Sequence, residues 1–61
     1  MKTQEIITAI ETYATEYKKA QTRKETDKID ADVEEMLESE VEDPIKRSKY
    51  QIRYYAKTNQ I

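Results

Sequence analysis

The stretch Glu25–Asp43, ETDKIDADVEEMLESEVED, decides the organisation of this 61-residue chain. It holds ten of the thirteen acidic residues and a single cation, Lys28. The formal charge is +2 before the stretch, −9 within it and +5 after it, which gives the net charge of −2. This plus–minus–plus order predicts either self-association or a charged partner.

Two segments carry apolar residues at helical spacing, one upstream of the acidic stretch and one within it. The upstream set predicts a helix over about 3–23, and the inner set predicts a helix over about 29–42. The upstream set, with spacings of 4, 3 and 4, is Ile6, Ile10, Tyr13 and Tyr17. The inner set is Ile29, Val33, Met36, Leu37 and Val41.

The two apolar stripes predict a break between the helices. At 100° per residue their centres differ by roughly 150°, so one straight helix would present them on opposite sides. We expect the break within Thr22–Asp30, with Thr26, Asp27 or Asp30 as the N-cap of the second helix. One long helix with two adhesive faces is the alternative.

The dipeptide Asp43-Pro44 gives the sharpest boundary. Proline lacks an N–H and restricts the residue before it, so we expect the second helix to end by Glu42 and Asp43 to cap a third helix over about 44–58. Asn59 suits its C-terminal end, since the chain has no glycine. The predicted inner side of the third helix is Ile45, Ser48, Ile52, Tyr55 and Ala56. The fold class is therefore all-α, a single domain of residues 1–61, with the last two helices in a tight helix-turn-helix hairpin.

The small aliphatic content predicts that oligomerisation completes the core. A chain of this length removes only about 60% of its unfolded surface from water. Because there is no Cys and no His, we expect neither a disulfide nor a metal to supplement burial. A homo-oligomer is expected, with a dimer favoured, and the predicted oligomer seam is Ile6, Ile10, Tyr13 and Tyr17.

The third helix carries basic and aromatic residues within about 120° of one another on a helical wheel. This predicted basic face consists of Lys46, Arg47, Tyr50, Arg53, Tyr54 and Lys57. Lysine and arginine contact phosphates and tyrosine stacks on bases, so DNA or RNA binding is one interpretation. The favoured interpretation is protein contact or balance of the acidic stretch, because the sequence pI of 5.1 is low for a nucleic-acid-binding protein.

The second helix carries an acidic stripe made of Glu34, Glu35, Glu38 and Glu42. Such a stripe is typical of a solvated face that nearby cations compensate. An acidic inhibitor or nucleic-acid mimic is the other interpretation. A calcium loop is excluded, because the register that starts at Asp30 places Glu35 where glycine is needed and Val41 where glutamate is needed.

The sequence contains few residues that could form a catalytic site, so we expect no enzyme, no cofactor and no small-molecule substrate. Ser39 and Ser48 lack a recognisable base, and no glycine-rich loop exists to cradle phosphates.

The first residues do not resemble a signal peptide, and no apolar run approaches the roughly 20 residues of a membrane span, so a cytoplasmic protein is expected. The function predicted is a non-enzymatic protein-interaction module or regulator, with a DNA- or RNA-binding regulator and an acidic inhibitor as alternatives.

Overall fold

The computed structural model describes residues 2–61, and these form three α-helices and no strand. They are α1 (Thr3–Lys19), α2 (Arg23–Glu40) and α3 (Pro44–Lys57). The all-α class and the three helices are confirmed. The alternative of one long helix is wrong, because α1 ends at Lys19 and the backbone is extended at Ala20 and Thr22.

The break between α1 and α2 lies earlier than the sequence patterns predict. Thr22 is the N-cap of α2, and its Oγ1 accepts a hydrogen bond from the Glu25 backbone N–H at 3.2 Å. The Glu25 carboxylate accepts from the Gln21 N–H at 3.3 Å, so two free donors are satisfied at this end. The prediction of Thr26, Asp27 or Asp30 as the N-cap is wrong. These residues lie inside α2, because Thr22 caps the N-terminus of the helix at least one full turn before them.

Both ends of α3 follow local backbone chemistry. Asp43 Oδ1 accepts from the Ile45 N–H at 2.9 Å, and Pro44 occupies the first helical position, as predicted. At the other end Asn59 adopts a left-handed φ of 59°. The Gln60 N–H donates to the Tyr55 carbonyl at 2.8 Å and the Asn59 N–H to the Ala56 carbonyl at 3.3 Å, which is a Schellman motif with asparagine in the usual place of glycine.

The core joins aliphatic residues of α1 and α2 to one tyrosine of α3. Ile10 and Leu37 have no exposed surface, and Tyr54 is 1% exposed. The buried apolar residues are Ile6, Ile10, Ala14, Val33, Leu37, Val41 and Tyr54. Within residues 2–61, no helix has both the length and the apolar composition needed to cross a membrane.

Side-chain contacts fix the relative directions of the helices. Tyr54, late in α3, contacts Asp30 in the first half of α2, whereas Arg47, early in α3, contacts Val41 just after α2. The helices α2 and α3 therefore run in opposite directions. Lys57 Nζ lies 3.8 Å from Glu11 Oε1, and residues early in both helices line a common groove, so α1 and α3 run in the same direction.

The inward side of α3 agrees with the predicted one only at Tyr55. Ile45 and Ile52, predicted to lie inside, are 69% and 56% exposed, and Ser48 and Ala56 are exposed as well. Tyr55 is the predicted inner residue that does pack against the core. The buried and half-buried residues of this segment are Arg47, Tyr50, Gln51, Tyr54, Tyr55, Lys57 and Thr58. An aromatic ring removes about 150–250 Å² from water, and the Tyr54 hydroxyl finds a partner when it is buried, so the aromatic side is buried in preference to the isoleucine side.

Candidate protein-binding surface

The orientation of α3 divides the predicted basic face. Lys46 and Arg53 are exposed, whereas Arg47, Tyr50 and Lys57 are only partly exposed and Tyr54 is buried. The prediction that Tyr54 belongs to an exposed face is wrong, because the predicted face was centred about 115° from the outward direction of the helix. The residues of the predicted face therefore serve different purposes.

Arg47 stabilises the end of α2. Its Nε and Nη2 donate to the Val41 carbonyl at 3.1 and 2.9 Å, and Nη2 also reaches the Glu42 carbonyl at 3.5 Å. These carbonyls lie just beyond the C-terminus of α2, where the helix dipole favours a cation. Its guanidinium thus has an intramolecular role, which reduces its availability to a partner.

Tyr54 joins all three helices. Its hydroxyl donates to Asp30 Oδ1 at 2.8 Å, and its ring meets the Tyr17 ring edge-on, with centroids 6.3 Å apart. Burial, and then the hydrogen bond to the Asp30 carboxylate, raise the pKa of Tyr54 well above its ordinary value. The phenol is therefore a neutral donor at neutral pH, and it cannot stack on a nucleic-acid base without unfolding of the core.

Residues at the C-terminal end of the chain make further hydrogen bonds around Asp30 and Glu34 of α2. Gln60 Nε2 donates to Asp30 Oδ1 at 3.2 Å and to Thr58 Oγ1 at 2.9 Å. Tyr55 donates to Glu34 at 3.4 Å, and burial together with the Glu34 charge raises the pKa of Tyr55. The acceptors on α2 therefore hold the C-terminal end of α3 in place.

Three cations form a row on the exposed side of α3. This cationic row consists of Lys46, Lys49 and Arg53, all exposed. Sequence reasoning missed Lys49, because the predicted face was centred on Tyr50 and Tyr54. The signal was the spacing of three and four residues, which places the cations on one side of a helix.

A groove of about 350 Å³ lies between α1 and α3, beside the cationic row. Thr3 and Ile7 form its α1 wall, and Tyr50 contributes from α3 together with the three cations. Ile7 and Tyr50 are both half-buried. The groove therefore combines apolar surface with a cationic edge.

Apolar residues occupy the other side of the cationic row. This isoleucine strip consists of Ile45, Ile52 and Ala56, which fall within about 40° on the helix. Ile45 and Ile52 are seven residues apart, or about 10 Å along the axis. Around the exposed side of α3 the order is thus isoleucine strip, cationic row and groove.

The predicted oligomer seam faces the core of its own chain. Ile6 and Ile10 are buried, and Tyr13 and Tyr17 are half-buried against the same cluster. Ile6 and Ile10 are thus buried within a single chain, whereas Tyr13 and Tyr17 keep part of their surface exposed, and the seam stays a prediction, as does oligomerisation itself.

The acidic stripe lies on the surface, as its composition suggests. Glu34, Glu35, Glu38 and Glu42 are all exposed, and Glu34 accepts the hydrogen bond from Tyr55. The large hydrophobic residues that are exposed within residues 2–61 are Ile45, Ile52 and Ile61, and none belongs to α2. The stripe thus offers charge with little apolar area beside it, because the neighbouring Met36 is half-buried.

Comparisons of the chain with protein-family models, with curated proteins and with solved structures found no match.

Proposed function

We propose that this chain is a non-enzymatic interaction module or regulator that binds an acidic segment of another protein through the exposed side of α3. The observation that carries the proposal is the pair Ile45 and Ile52, 69% and 56% exposed beside three cations. Aliphatic area next to polar residues is typical of protein-binding surfaces. In this proposal α2 and α3 act as a hairpin that presents the surface.

The expected strength of binding follows from the exposed area. Burying a fully exposed isoleucine contributes about 1.5–3 kcal/mol. Because Ile45 and Ile52 are 69% and 56% exposed, covering both supplies about 2–4 kcal/mol before the cost of association. Pairing of the cationic row with carboxylates adds specificity and speeds association. We therefore expect a transient complex whose association rate falls with salt.

Nucleic acid is the second candidate, favoured by the cationic row. Lys46, Lys49 and Arg53 are spaced to contact phosphates along one side of a helix. However, Tyr54 is buried and Tyr50 is half-buried, which limits the stacking platform that single-stranded nucleic acid uses. The exposed isoleucines beside the cations fit a protein better.

A second copy of the chain fits the surface less well. Packing α3 against α3 would bring the two cationic rows together, and like charges at close range cost free energy. The exposed side of α2 has the opposite charge, but its large apolar residue near the surface, Met36, is half-buried and offers little area to cover Ile45 and Ile52. The partner proposed is therefore a different protein, although the predicted dimer remains an outcome that experiments can report.

The test compares matched variants as bait. Immobilised wild-type chain, the double variant Ile45→Ser/Ile52→Ser and the control Ile61→Ser are exposed to host lysate, and retained proteins are quantified and then rebound in purified form. Wild type and Ile61→Ser should retain a partner that the double variant loses. Retention by all three baits contradicts the proposal, as does tight binding of a DNA or RNA duplex at 150 mM salt by wild type and double variant alike. Light scattering of each bait reports whether a second copy occupies the surface.

A further inference from the structure

The exposed side of α3 has an unusual order of chemistry, with charge in the middle and apolar surface on both edges. The isoleucine strip forms one edge, and the groove over Ile7 and Tyr50 forms the other. Between them lie Lys46, Lys49 and Arg53. Long cationic side chains keep their charged heads in water while their stems lie on apolar surface, so this row can separate two apolar contacts.

The groove is large enough to receive a side chain. Its volume of about 350 Å³ lies at the lower end of the range of about 300–1,000 Å³ for small-molecule sites. Ile7 and Tyr50 supply its apolar surface, and Thr3 lies at the α1 wall. An aliphatic residue placed here would contact both α1 and α3.

The cationic row has the spacing of a helix. Its members are three and four residues apart, which corresponds to about 4.5 and 6 Å along the axis. Carboxylates at the same spacing on an apposed helix lie opposite the cations. An extended strand rises about 3.3 Å per residue with alternating faces, so its same-side carboxylates would be about 6.6 Å apart and would not match both intervals.

We infer that the partner binds as an α-helix lying along the cationic row, with acidic residues in the middle of its contact stripe and apolar residues on both edges. One apolar edge covers the isoleucine strip, and the other enters the groove over Ile7 and Tyr50. This inference rests on the proposed function and adds the partner's conformation and its pattern. It reverses the usual amphipathic arrangement, in which the apolar residues lie in the centre and charges flank them.

The test uses two synthetic helical peptides of identical composition. Both contain leucine and glutamate on an alanine and glutamine background. In one peptide glutamates form the centre of the stripe and leucines the edges, and in the other the positions are exchanged. Each is titrated into the full ¹⁵N-labelled chain, with affinity from fluorescence anisotropy and contacts from amide shifts. The acid-centred peptide should bind at least tenfold more tightly and should shift the amides of both Ile7 and Ile52.

Matched variants locate each edge. Ile52→Ser and Ile7→Ser should each weaken the acid-centred peptide by about threefold or more, while Ile61→Ser should leave the affinity unchanged. Lys49→Gln should weaken binding and Lys19→Gln, an exposed lysine at the end of α1, should not. Thermal melts confirm that each variant is folded. The amide shifts of the wild-type chain show whether the peptide occupies the groove, independently of any substitution.

The outcomes separate this inference from the proposed function. Equal affinity for the two peptides, or an Ile7→Ser variant that binds the acid-centred peptide normally, overturns the inference. The proposed function still stands in that case if binding depends on the isoleucine strip. Failure of both peptides, together with failure of the bait experiment, overturns both. Octanoate serves as a small amphipathic anion that could occupy the groove without a helix. If octanoate saturates the groove and the chain binds the two peptides equally, the inference is overturned.

Discussion

Replacing Tyr54 by phenylalanine tests the contact that sets the orientation of α3. The substitution removes one hydroxyl, which donates to Asp30 Oδ1 at 2.8 Å. The ring and its edge-on contact with Tyr17 remain. Asp30 keeps the amide of Gln60 at 3.2 Å, so its carboxylate is not left without a donor.

The expected loss of stability is about 1–2 kcal/mol. A hydrogen bond to a charged group contributes about 1.5–3 kcal/mol, and the half-buried position of Asp30 with its second donor places this one toward the lower end. At about 0.05–0.15 kcal/mol per residue the whole chain has a stability of about 3–9 kcal/mol. The variant should therefore still fold, with a Tm lower by about 5–15 °C.

Thermal and urea melts followed by circular dichroism provide the measurement, and Tyr55→Phe is the matched control. The Tyr55 hydroxyl lies 3.4 Å from a carboxylate oxygen of exposed Glu34, so its loss should cost less than about 0.5 kcal/mol. A Tyr54→Phe variant as stable as Tyr55→Phe would refute the reasoning. It would mean that the hydrogen bond from the Tyr54 hydroxyl to Asp30 does not set the orientation of α3.

Three further predictions concern pH, the start of α2 and the two sides of α3. Folding raises the pKa of Tyr54, so the protonated phenol stabilises the folded chain fully below about pH 10, and this stabilisation falls above it by up to about 1.4 kcal/mol per pH unit. In urea melts from pH 9 to 11, the free energy of unfolding should therefore decline less steeply for Tyr54→Phe than for wild type. Thr22→Ala should destabilise by about 1 kcal/mol and Thr26→Ala by less, as measured by thermal melts. Ile10→Asp should unfold the chain, whereas Ile52→Ser should change the free energy of unfolding by less than about 0.5 kcal/mol, and equal effects would contradict the assigned core.

The boundaries of α3 could be predicted because a few adjacent residues determine them. Asp43 and Pro44 fix its start by a cap and a missing N–H, and Asn59 tolerates the left-handed backbone at its end. Each effect acts within one turn of the chain. No knowledge of the neighbouring helices was needed.

The start of α2 was also present in the sequence, but the apolar pattern concealed it. Thr22 and Glu25 have the spacing of a capping box, yet the first apolar residue of α2, Ile29, lies a full turn later. The first turn of α2, Arg23–Thr26, contains no apolar residue, so apolar periodicity does not reveal it. Capping chemistry is therefore a better guide than apolar spacing at a helix end that projects into solvent.

The orientation of α3 could not be predicted from its apolar residues, since both sides of the helix carry them. Ile45 and Ile52 define one side, and Tyr50 and Tyr54 define another. The choice depends on Asp30 and Tyr17, which belong to other helices and supply the polar and aromatic contacts that Tyr54 needs. The error carried over to the binding surface, where Tyr54 was included and Lys49 was missed.

Burial of Tyr54 has a direct consequence for the surface that α3 presents. A 14-residue helix packed on two neighbours can bury only one side, so the side with Tyr54 excludes the side with Ile45 and Ile52. The exposed parts of Ile45 and Ile52 do not stabilise the isolated chain, whereas covering them contributes about 1–2 kcal/mol for each residue. If they only reflect the unused side of a helix, serine at both positions raises solubility and changes nothing else. If they are the contact proposed for a partner, the same double variant keeps its fold and loses its partner, and the cations beside them then account for the acidic character expected of that partner.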